Sequence, residues 1–127
     1  MHRLTLSLLP DRYAICRLAS TLPLPELPNP CRFLSVSRTE DELSLVVPES
    51  EIPANGIADG GWRCFKLHGP FPFEQVGVLA SLAGPLARAE IGIFVISTFD
   101  TDYLLVKEAD LDAARKTLGD AGHEISP

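Results

Sequence analysis

The chain is short of positive charge. Eleven Lys and Arg stand against seventeen Asp and Glu, for a formal net charge of −6, and the basic residues are scattered. A phosphate backbone or an anionic membrane surface needs clustered Lys and Arg, so neither nucleic acid nor membrane is an expected partner. No stretch approaches the roughly 18 apolar residues that span a bilayer. The N-terminal "MHRLTLSLLPDRY" puts a basic residue before apolar ones, but the run is too short for a signal sequence and Asp11 and Arg12 interrupt it. The expected compartment is the cytoplasm. Cysteine is sparse as well: Cys16, Cys31 and Cys64 lie far apart without C-x-x-C spacing, and read as buried structural thiols. Met1 is the only methionine, which leaves no Met-rich groove.

Catalytic signatures are missing too. The chain has no P-loop, no G-x-G-x-x-G, no H-E-x-x-H and no G-x-S-x-G. His68 follows Cys64 by four residues on a predicted strand, but no acid is placed to orient it, and a Cys-His nucleophile is not expected. His2 and His123 lie near the termini and read as exposed. The sequence implies no enzyme, no metal and no cofactor.

What is present is an ordinary globular composition, 46% apolar and 22% charged, in a length that suits one compact domain or two small subdomains sharing a core. In the second half, "WRCFKLHG" (62–69) alternates as a strand with one face to a core. After the turn "GPFPFEQ", residues 76–89 place Val78, Leu79, Leu82, Leu86 and Ala89 on one helical stripe, with Pro85 inside it and a kink expected near Gly84. "IGIFVIS" (91–97) is continuous apolar sequence of the kind found in central strands buried on both faces. The loop "TFDT", a strand "DYLLVK" and a second amphipathic helix follow. In that helix Leu111, Ala114, Leu118 and Ala121 share a stripe, Glu108 and Asp110 lie in the first turn, and Gly122 serves as C-cap. A short strand "HEIS" closes the order β-α-β-β-α-β.

The first half carries an imperfect echo. Slid by 60 residues, "VSRTEDELSLVVPES" falls on "ISTFDTDYLLVKEAD", setting Glu40 on Asp100 and Glu42 on Asp102. Where a first helix should follow, "STLPLPELPNPC" has four prolines that bar one. "PESEIPANGIADGG" reads as a degenerate second helix and linker. The division falls near Gly60, giving a degenerate N-terminal subdomain (1–60) and a C-terminal one (61–127).

Two clusters are candidates for binding. Gly77, at the entry to a helix, leaves the N–H groups of Gln75, Val76, Gly77 and Val78 available to a carboxylate, unless the glycine serves only a tight turn. In "ISTFDTDYLLV", two carboxylates interrupt a run of strand residues. Asp100 and Asp102, with Ser97, Thr98 and Phe99 beside them, form an edge for an ammonium or guanidinium group. The alternative is an Asx-turn at Asp100 with Asp102 in solvent.

The segment "EQVGVLASLAGPLARAEIGIFVISTFDTDYLLVKEADLDAA" resembles the ACT domain, and more narrowly the tandem ACT proteins related to the ACT regions of aspartate kinases and to the cytosolic arginine sensors. The resemblance is strongest over Trp62 to Gly122. It implies an α+β fold of two ferredoxin-like βαββαβ ACT subdomains, the first degenerate, with antiparallel sheets and helices on one face. It also implies a non-catalytic regulatory module that binds a free amino acid, forms a homodimer and acts on a regulated protein partner. Many ACT domains open their first helix with an acidic residue and Arg-Pro-Gly; the matching residues here are Glu74, Gln75, Val76 and Gly77, so only the acid and the glycine are kept. A dimerisation or protein-interaction module without a small ligand is the alternative function.

Overall fold

The computed structural model describes residues 2–72 and 74–126. Along the chain run β1 (Thr5–Leu18), β2 (Ser35–Arg38), β3 (Leu43–Pro48), a 3-10 turn (Glu49–Glu51), β4 (Ile57–Leu67) and α1 (Val78–Arg88). They are followed by β5 (Ile93–Ser97), β6 (Asp102–Lys107), a second 3-10 turn (Glu108–Asp110), α2 (Leu111–Asp120) and β7 (Glu124–Ser126). The chain forms two compact units, one of the residues up to Pro10 with those from Arg63 onward, the other of Asp11–Trp62. Division at Gly60 assigns the first ten residues to the N-terminal subdomain. The structure groups them with the second half, because Leu4 and Leu6 enter the same apolar cluster as both helices.

In the larger unit the strand order is β7, β1, β4, β6, β5, with β7 parallel to the start of β1 (Leu6 opposite Ile125) and β5 antiparallel to β6 (Val95 opposite Leu104). Alternate residues of the strands, Leu6, Phe65, Leu67, Leu104 and Val106, meet Val78, Leu82 and Leu86 of α1 and Leu111, Ala114 and Leu118 of α2. The period of two on the strands and of three to four on the helices thus directs one face of each into this cluster. Each fully buried leucine contributes about 1.5–3 kcal/mol relative to exposure. One expectation is overturned. The run at 91–97 is not a central strand buried on both faces: β5 is the edge strand, and Ile93, Phe94, Val95 and Ile96 are half-buried. The buried central partner is β6, where Leu104, Leu105 and Val106 are fully enclosed. A continuous apolar run reports low polarity on both faces, and an edge strand with a half-covered surface satisfies that description equally well.

Pro85 lies within α1, which continues through it to Arg88. The proline has no N–H for the carbonyl four residues back, so Ser81 O lacks its helical donor. His123 supplies one: its Nε2 stands 2.9 Å from Ser81 O, while its Nδ1 accepts from the Leu4 N–H at 3.1 Å. The Leu4 amide can only donate, so the imidazole carries its hydrogen on Nε2. His123 is therefore buried, at 6% exposure, and not exposed as its place near the terminus suggests. The turn that follows α2, with Gly122 at φ 95° and the His123 N–H on Leu118 O at 3.0 Å, carries it inward.

The smaller unit has the order β2, β3, β1, β4. Its core is Ala14, Cys16, Leu18, Leu43, Leu45 and Val47, against which Leu22, Leu27, Leu34 and Val36 pack. No helix forms between β1 and β2, where the prolines lie. The Arg38 guanidinium instead holds that loop by donating to the carbonyls of Ser20 and Leu22. Of the cysteines, Cys16 and Cys64 are buried as expected, and Cys31 is exposed. Burial pushes the Cys64 thiol up to about 12, so it stays protonated.

Removal of the His123 ring orphans a buried N–H and a buried C=O. His123→Ala is therefore expected to cost about 2–4 kcal/mol of unfolding free energy in urea titration. Pro85→Ala in the same background restores a donor to Ser81 O and is expected to recover part of the loss. A cost of His123→Ala below about 0.5 kcal/mol contradicts this bridge.

Candidate functional site

The β5–β6 turn is built on threonine. The Thr98 N–H donates to Thr101 O at 2.8 Å, the Thr98 hydroxyl donates to the same oxygen at 3.0 Å, and the Thr101 N–H reaches back to Thr98 Oγ1 at 3.4 Å. Thr101 is buried, at 7% exposure, and its hydroxyl donates to Leu67 O at 3.0 Å, tying the turn to the end of β4. The Phe71 N–H donates to Asp100 O at 2.9 Å, which draws the segment after β4 against the turn. A Cβ on Gly69 would come within 2.9 Å of that same carbonyl oxygen, so this approach needs glycine.

The two carboxylates divide in role. Asp102, the first residue of β6, accepts a hydrogen bond from the Ser97 hydroxyl. Asp100 is exposed in the turn; its backbone is engaged, and its carboxylate makes no hydrogen bond or ion pair among the described residues. The side chain that organises this turn is Thr98, and no Asx-turn at Asp100 is formed among the described residues.

On the helix side, Gly77 has φ 83° and directly precedes α1. Gln75 N–H is used, donating to Pro72 O at 3.0 Å. Ser81 N–H opens the helical ladder by donating to Gly77 O at 3.1 Å, so the N–H groups of Val78, Leu79 and Ala80 lie outside that ladder. His2 Nε2 sits 2.9 Å from Val76 O and would lie 3.3 Å from a Cβ on Gly77. The imidazole thus lies over this turn, a contact that sequence spacing gave no hint of.

The two predicted clusters meet at one cavity of about 210 Å3. It is lined by Gln75 and Val78 from the helix entry and by Ser97, Thr98, Phe99, Asp100 and Asp102 from the hairpin, with Phe71, Pro72 and Thr101 added. Val76 and Gly77 do not line it; Val76 points outward, 82% exposed. The size lies below the roughly 300–1,000 Å3 of pockets for drug-sized ligands and suits a small molecule. Its charged lining groups are both carboxylates. Among the described residues no group of three His, Cys, Asp or Glu is placed to hold a metal ion. His68 engages Ser7 Oγ at 2.5 Å, not Cys64.

The hairpin also recurs. Strand β3 (Leu43–Pro48) and the 3-10 turn Glu49–Glu51 have counterparts in β6 (Asp102–Lys107) and Glu108–Asp110, each 59 residues on. The Thr39 N–H donates to Glu42 O at 2.9 Å, as Thr98 does to Thr101 O. Strand pairing follows the same shift, with Ser35 opposite Val46 and Phe94 opposite Leu105. The 60-residue slide is therefore one residue out: Asp41 matches Asp100, and Leu43 stands where Asp102 does. Aligning carboxylates missed the threonine-built turn that sets the register.

The sequence profile described as "ACT domain" matches residues 57–120, and a second, described as an N-terminal domain, matches residues 11–55. The cytosolic arginine sensor for mTORC1 subunit 1 of Bos taurus is 40% identical over 94 residues, covering 68% of this chain and 29% of the sensor. The chain thus spans less than a third of that relative's length. A protein of Agobacterium tumefaciens solved by X-ray crystallography has a TM-score of 0.92 at 41% identity, over 99% of this chain and 94% of that one. The regulatory subunit of aspartate kinase from Thermus thermophilus is similar in fold, with a TM-score of 0.59 at 12% identity over 91% and 95% of the two chains. No described helix is long and apolar enough to cross a membrane. With an antiparallel β5–β6 hairpin, two helices on one face of the sheet and this match over its second half, the chain belongs to the ACT domain family.

Proposed function

We propose that the protein is a non-catalytic regulatory module that binds a free amino acid in the cavity between the α1 entry and the β5–β6 turn. The observation that carries this reading is that one small cavity gathers residues from both predicted clusters. The ligand carboxylate faces the start of α1, where N–H groups lie outside the helical ladder and the helix dipole favours an anion. Its cationic end faces Asp100 and Asp102, with Ser97 already turned toward the latter. A lining that offers two carboxylates and no basic side chain favours a basic amino acid. The similarity to a protein named as an arginine sensor makes arginine the first candidate.

The same reading takes Asp11–Trp62 as a degenerate second ACT unit that keeps the strand–turn–strand and 3-10 elements and has lost its helices. It places the protein in the cytoplasm as a homodimer that passes its ligand state to a protein partner. Such transmission requires that the ligand bind two interface geometries unequally. A second reading, an interaction module with no small ligand, draws on the half-buried apolar edge strand β5 and on Val76, Leu79 and Phe99, all exposed.

A thermal-unfolding screen against the twenty amino acids separates the two. At about 100 times its dissociation constant, a bound amino acid adds roughly 2.7 kcal/mol to folded-state stability, and arginine is expected to give the largest shift. Asp100→Asn with Asp102→Asn is expected to abolish the shift while leaving the unliganded melting temperature within a few degrees. A flat screen on protein first denatured, stripped of small molecules and refolded removes the sensor reading and leaves the interaction module.

A further inference from the structure

The Thr98–Thr101 turn is the wall of two cavities. Thr98, Asp100 and Thr101 line the one described above and also a second, of about 240 Å3, completed by Lys66, Gly69, Pro70 and Tyr103. The charged groups of the two differ. The first cavity has carboxylates alone. The second has one cation, the exposed Lys66 of β4, and one anion, Asp100. Neither charged group makes a hydrogen bond or ion pair among the described residues, so the two face one space without closing on each other. Opposite charges on one small concavity that do not pair directly offer a matched anchor for both ends of a dipolar ligand. Burial first, then the neighbouring Cys64 and Asp100, raise the Tyr103 phenol above its usual range. It therefore stays protonated at neutral pH.

We propose that this second cavity is a binding site for a small zwitterion, its carboxylate received by Lys66 and its ammonium by Asp100. A ligand that carries one carboxylate and one ammonium, such as a small α-amino acid or a short ω-amino acid, matches this pair of opposite charges. Asp100 is common to both cavities, so a cation held by it on one side offsets the charge available on the other. Occupancy of either site then weakens the other, and by linkage the weakening is mutual. This antagonism rests on the amino-acid reading of the first cavity; the second site itself does not.

The test is an amide NMR titration of the full chain with glycine, the smallest zwitterion, and with β-alanine as the longer probe. Acetate and methylammonium supply each charge alone. One or both zwitterions are expected to shift the Lys66, Gly69, Thr101 and Tyr103 resonances saturably, and the single-charge probes at least about tenfold more weakly. Lys66→Met replaces an exposed side chain and is expected to weaken zwitterion binding by about tenfold or more. Arg115→Met, at an exposed position of α2 that lines neither cavity, is expected to leave it unchanged. If neither zwitterion produces a saturable shift at Lys66 and Tyr103, or if Lys66→Met binds as the parent does, the second site is refuted. A parallel arginine titration read at Gln75, Val78 and Ser97 reports the first cavity separately, so failure of one site is distinguished from failure of the other.

Discussion

The hydrogen bond from the buried Thr101 hydroxyl to Leu67 O is the constraint on which both cavities depend. It joins the tip of the β5–β6 hairpin to the end of β4. That brings Asp100 O within reach of the Phe71 N–H, and so folds the 69–78 segment back over the turn. A buried hydroxyl without a partner costs about 1–3 kcal/mol, so hairpin and segment are held together by the need to satisfy polar groups as well as by packing. As a consequence, residues more than twenty positions apart in sequence, such as Gln75 and Asp102, line one space.

The larger unit answers a second polar problem in a similar way. Pro85 removes a donor from α1, and Ser81 O would be left unsatisfied against the core. His123 fills the gap and at the same time takes the Leu4 N–H. One imidazole thus ties α1, the turn after α2 and the start of β1. Through Leu4 and Leu6, this also explains why the first ten residues belong with the second half of the chain. Proline tolerance here is a property of the surroundings of the helix.

In the smaller unit the same hairpin geometry recurs with different side chains. Thr39 performs the task of Thr98, but Leu43 replaces the Asp102 position and no carboxylate is offered there. No α-helix lies between β1 and β4, prolines crowd the loop after β1, and Arg38 satisfies carbonyls of that loop. The unit has backbone strand pairing and a small apolar cluster.

Much of this was legible from local pattern. The stripe of Val78, Leu82 and Leu86, the stripe of Leu111, Ala114 and Leu118, the proline-barred helix after β1, and the polar break at Ser97–Asp102 each follow from the period of side chains along a helix or strand and from backbone chemistry. These are properties of neighbours in sequence. The edge position of β5, the burial of His123, the pairing register of the two similar hairpins and the union of two clusters at one cavity depend on which strand lies beside which and on where orphaned donors and acceptors find partners. Those are contacts between distant residues, and only the tertiary structure decided them.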